Sequence, residues 1–157
     1  MIGGAIGDKL EHAFSNKNTE EFATLAERIH NSPEERKTAA EHLLTTLSQG
    51  ITERAETALV ILRVTGIALD EKVYDSIIAT LHAAFTHEAL MEIISHEGKQ
   101  CALQVRARRS VGLRLLGSSI LLLKSSENPK ALSFLRFVEK ETAGTPVAAL
   151  VAKWKQL

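Results

Sequence analysis

The chain has 157 residues, 45% hydrophobic and 24% charged, which excludes wholesale disorder and leaves room for one domain with a real core. Nineteen Lys/Arg balance nineteen Asp/Glu overall, yet residues 1–97 hold 8 bases and 16 acids while residues 98–157 hold 11 bases and 3 acids. A single cysteine, Cys101, excludes an intrachain disulfide framework, and the opening Met-Ile-Gly-Gly-Ala-Ile-Gly-Asp lacks the basic and apolar regions of a secretory leader, so a cytoplasmic protein is expected.

Residues 1–7 are expected to be flexible and to lead into a first helix around Asp8 to Phe14. Their glycine run imitates a phosphate loop, but the Gly-Lys-Ser/Thr end is missing and no strand precedes it. Asn18, with Glu21 three positions on, signals the start of the next helix. Ser32 does the same with Pro33 at the first helical position and Glu35 at the third, and Gly50 marks the far end. Thr52 opens a helix running towards Gly66. Asp70 caps a fifth, through Phe85, whose Val73, Ile77, Ile78 and Leu81 form one apolar stripe. Thr86 caps another that ends near Gly98.

From Lys99 to Lys124 the spacing allows one long helix or a break at Gly117-Ser118-Ser119, and a helix from Lys99 to Leu116 is expected. Asn128-Pro129 and Thr145-Pro146 open the last two helices, separated by Gly144. No segment alternates with the period of a strand. With short connections and only 4% aromatics, the chain reads as a single all-α domain of residues 1–157, built from antiparallel helical hairpins.

Three helices open on a similar phrase. Ser32-Pro33-Glu34-Glu35-Arg36 is followed by Ala39 and Leu43, and Asp70-Glu71-Lys72-Val73-Tyr74 by Ile77 and Leu81. Val105-Arg106 is followed at matching offsets by Arg109 and Leu113. The phrase resembles the second helix of a HEAT repeat over about residues 32–123. Glu35, Tyr74 and Arg109 depart from that family's pattern. The resemblance implies helical hairpins stacked as a short solenoid with a curved binding surface. A compact multi-helix bundle is the competing architecture.

Chemistry-bearing residues concentrate in the basic half. Between Gly98 and Ser126 there are six Lys/Arg and no acid. On one continuous helix Lys99, Arg106, Arg109 and Arg114 share a face, a candidate surface for an anionic partner. Arg108 falls on the opposite, apolar face and is expected to pair with an acid of the first half. The alternative to an exposed docking stripe is an internal acid–base seam. Trp154, on a stripe with Val147, Leu150 and Val151, is expected either to close the core or to anchor a partner.

Six histidines yield no complete metal motif: Glu27-x-x-His30 has a di-iron spacing without its second copy, and Glu88, Glu92 and His96 share one face without further ligands. No metal or cofactor is expected, no catalytic residue is assigned, and an enzyme is the less favoured reading. The expectation is a non-catalytic interaction module that binds another protein with an acidic surface. Head-to-tail self-association is a possible variant of that role, and nucleic-acid binding through the Arg-rich segment is the alternative.

Overall fold

A computed structural model describes the backbone of residues 2–102 and 110–157 and the side chains of residues 6–97 and 110–157. Among the described residues all regular structure is helical. Nine α-helices follow there in order: α1 (Ile2–Ser15), α2 (Thr19–Asn31), α3 (Pro33–Leu47), α4 (Glu53–Val64), α5 (Glu71–Ala84), α6 (His87–Ala102), α7 (Val111–Leu123), α8 (Pro129–Thr142) and α9 (Pro146–Gln156). A short 3-10 turn, Ile67–Leu69, precedes α5. Among the described residues no single helix is long and apolar enough to cross a membrane.

The boundaries follow from local capping. Asn18 accepts from Glu21 N at 3.1 Å, while its amide nitrogen donates to the Glu21 carboxylate at 3.0 Å. Ser32, Thr52 and Thr86 accept from the backbone three residues on, at 3.2, 3.0 and 3.1 Å. Asp70 and Asn128 satisfy the first amides of α5 and α8 in the same way. Gly66, at φ 80°, supplies the left-handed residue after α4. The turn after α1 is less obvious: Lys17, not a glycine, takes the left-handed position at φ 56°, and Asn18 N closes back on Ala13 O at 2.9 Å.

Two expectations are corrected. The first helix, expected around Asp8, begins at Ile2: Ile6 is buried and Gly7 sits inside a helix interface. The single helix expected from Lys99 to Leu116 is broken at Ser110. There the backbone is extended (φ −59°, ψ 155°) and the hydroxyl accepts from Leu113 N at 3.2 Å, so α7 starts anew. The helix then runs straight through Gly117-Ser118-Ser119. Gly117 has the Trp154 ring lying on it, and a Cβ at that position would come within 2.9 Å of Cε2 and Cζ2. Ser119 stays helical by donating to Leu115 O at 2.7 Å.

The chain divides into two compact units, residues 1–77 and 78–157, with the division inside α5. In the first, α1 and α3 share the most extensive interface, α2 packs on both, and α4 packs on α3 and α1. Leu10, Leu43, Leu47, Leu59 and Leu62 are buried there, each worth about 2 kcal/mol relative to exposure. In the second, α9 packs on α6, α7 and α8. Phe85 meets Phe134 at 6.2 Å between ring centroids. The first unit holds 8 bases and 13 acids and the second 11 bases and 6 acids, so each keeps a net charge of five, of opposite sign.

Candidate functional site

Two surfaces concentrate chemistry, one in each unit. In the first unit Asp8 and Glu11 lie three residues apart on α1 and therefore share a face. Gly7, just before them, has no side chain, and the His42 ring of α3 occupies that space. A Cβ on Gly7 would lie 2.3 Å from His42 Cδ2 and 2.4 Å from Cγ. This close approach carries the imidazole over α1, where Nε2 comes to 3.4 Å from Asp8 Oδ1 and 3.7 Å from Glu11 Oε1.

Arg54, near the start of α4, holds the other Glu11 oxygen, Nη2 to Oε2, at 3.0 Å. That bond turns Oε1 towards His42. Asp8 is open to solvent, whereas Glu11 and His42 are largely buried, with side-chain exposures of 14% and 18%. The donor atoms of Asp8, Glu11 and His42 all lie within 4.8 Å of one another, a set with the chemistry to hold a cation. A shallow groove of about 450 Å³, lined by Glu11, His12, Ser15, Glu53 and Arg54 among others, opens beside them.

The second unit presents a polar helix face instead. The buried side of α8 is Ala131, Phe134, Leu135, Val138 and Thr142. Running from the flank to the far side of the helix, Leu132, Arg136 and Lys140 stand at i, i+4 and i+8, all exposed. Arg136 and Lys140 have no ion-pair partner among the described residues, while Lys155 of α9 bonds Glu139 at 2.6 Å. At the N-terminal end of α6, His87 is paired with Glu141 of α8. The hydrogen bond to Glu141 and the negative charge of that carboxylate hold the His87 imidazole above the usual histidine range.

The residues singled out by sequence fall as follows. Arg114 lies half-buried on α7 and is engaged in an interaction. Lys99 belongs to α6, across the Ser110 break from Arg114, so these two do not share the face of one helix. The side chain of Lys99, and Arg106, Arg108 and Arg109 entirely, lie outside the described residues. Trp154 is 7% exposed and closes the core of the second unit against Gly117.

Sequence reasoning missed both surfaces just described. The Leu132–Arg136–Lys140 spacing was readable, but nothing local distinguishes it from a solvated face. His42 is 31 residues from Glu11, and only the Gly7 gap brings them together. Comparison of the chain with family models, with curated proteins and with solved structures finds no match.

Proposed function

We propose that this protein is a non-catalytic helical interaction module that docks an acidic protein surface on the outer face of α8. The observation that carries the reading is the exposed stripe of Leu132, Arg136 and Lys140. Two like charges at i, i+4 cost a helix about 0.2–0.5 kcal/mol. Here they stand without carboxylate partners among the described residues, beside an apolar side chain that is 37% exposed. An acidic partner would relieve that repulsion and cover Leu132. The net positive charge of residues 78–157 adds longer-range attraction of the same sign.

The scaffold in this reading is a short HEAT-like stack. Its support is the packing of successive early helices, α1 on α2, α2 on α3 and α3 on α4, together with α1 on its next neighbour α3. The α1–α4 packing departs from that pattern and is the feature a closed bundle would add.

Fluorescence anisotropy with a labelled polyglutamate peptide tests the proposal. Binding is expected at low salt, weakening as salt rises, and the double variant Arg136→Glu/Lys140→Glu is expected to lose about tenfold in affinity. Equal binding by the double variant would reject the surface. Tighter binding of duplex DNA than of the peptide, with a steep salt slope, would support the nucleic-acid alternative instead.

A further inference from the structure

Folding strips two atoms of the first unit of water without giving them a hydrogen-bond partner. Glu11 Oε1 and His42 Nε2 are both inaccessible and unsatisfied. Orphaned polar atoms of this kind are costly, and a bound ion is one way a native structure satisfies them. They lie 3.7 Å apart, too long for a hydrogen bond, with Asp8 Oδ1 at 3.4 Å from the same nitrogen.

We propose that Asp8, Glu11 and His42 bind one divalent cation of the zinc class, joining α1 to α3. Zinc bonds of about 2.0–2.2 Å in a tetrahedral arrangement set neighbouring donors about 3.3–3.6 Å apart. Of the separations from His42 Nε2, 3.4 Å falls inside that spacing and 3.7 Å just beyond it, with all three donors within 4.8 Å of one another. One imidazole nitrogen with two carboxylate oxygens suits zinc better than magnesium or calcium, which take oxygen sets.

The surroundings fit a ligand role. Arg54 donates to Glu11 Oε2 and thereby orients Oε1, the outer-sphere arrangement that fixes a ligating carboxylate. Gly7 fixes where the imidazole lies, since any side chain there would displace the ring. Asp8, 65% exposed, gives the ion its route of entry and leaves a position open to water. Three protein ligands and one open position describe a site that can also accept an exogenous donor.

Isothermal titration of the full, chelator-treated chain with zinc sulfate tests the site. One equivalent is expected to bind, at least about tenfold more weakly in Asp8→Asn and Glu11→Gln, and not at this site in His42→Ala. Titration with cobalt(II) provides a second readout, since tetrahedral coordination gives visible absorption that His42→Ala should remove. Asp8 is exposed, so Asp8→Asn keeps the fold and decides the matter if His42→Ala does not fold. Zinc uptake by Asp8→Asn and Glu11→Gln equal to that of the unaltered chain, with helicity retained, would overturn the proposal. So would the absence of zinc uptake by the unaltered chain.

Discussion

Gly7→Ala is the substitution that most sharply separates a helix-propensity argument from a packing argument. On an isolated helix the change stabilises by about 1 kcal/mol, because glycine loses more backbone freedom on folding than alanine. At this position the new methyl would lie 2.3, 2.4 and 2.7 Å from His42 Cδ2, Cγ and Cβ. Ordinary carbon contacts sit at about 3.5–4.0 Å, so the ring must retreat by about 1 Å or more. Rotation about the side chain does not suffice, since Cβ itself is among the clashing atoms. The interface of α1 and α3 must therefore open where Leu10 and Leu43 are fully buried.

Overpacking of that kind costs about 1–3 kcal/mol or more, which outweighs the propensity gain. The expected net effect is no gain in stability and a destabilisation of up to about 2 kcal/mol, read from urea unfolding followed by far-ultraviolet circular dichroism. A variant more stable than the parent would refute the packing of His42 on Gly7, and with it the geometry of the Asp8–Glu11–His42 cluster.

Two further outcomes follow from the second unit. Trp154→Ala should destabilise the protein by about 3–5 kcal/mol in the same assay, because it empties a buried site against Gly117; a near-neutral change would return Trp154 to the role of a surface anchor. Glu141→Gln should remove a pH-dependent contribution from the His87–Glu141 pair. Since the folded His87 pKa is raised above its unfolded value near 6.5, that contribution is fully present below the unfolded value and disappears as pH rises through the folded one. The stability gap between parent and variant should be widest at about pH 5.5 and close in alkaline solution, with the His87 titration midpoint falling in the variant; a gap that widens with pH would contradict the pairing.

What the sequence made legible was local. Asn18, Ser32, Thr52, Asp70, Thr86 and Asn128 each cap through an amide two or three residues away, so the signal and its structural consequence occupy the same short window. The errors arose where distant residues decide. Gly117-Ser118-Ser119 looks like a break by local rules, yet the Trp154 ring, 37 residues on, makes the glycine a packing position within a helix. Ser110 carries the real break although no proline or glycine flanks it directly. Likewise the glycines near the start hid a helix that begins at Ile2, because the His42 ring that fills the Gly7 gap lies on another helix.

The same reason hid the functional surfaces. The bulk charge asymmetry was visible, and it persists as opposite net charges on the two units, but which cations stand unpaired depends on packing. Arg114 is half-buried and engaged, whereas Arg136 and Lys140, unremarkable in sequence, stand on the outer face of α8.

The most direct test of the docking account is a nuclear magnetic resonance titration of isotope-labelled protein with the polyglutamate peptide. The account predicts saturable shifts at Leu132, Arg136 and Lys140 that vanish at high salt and in Arg136→Glu/Lys140→Glu. Shifts confined to other helices, or none at all at low salt, would contradict it.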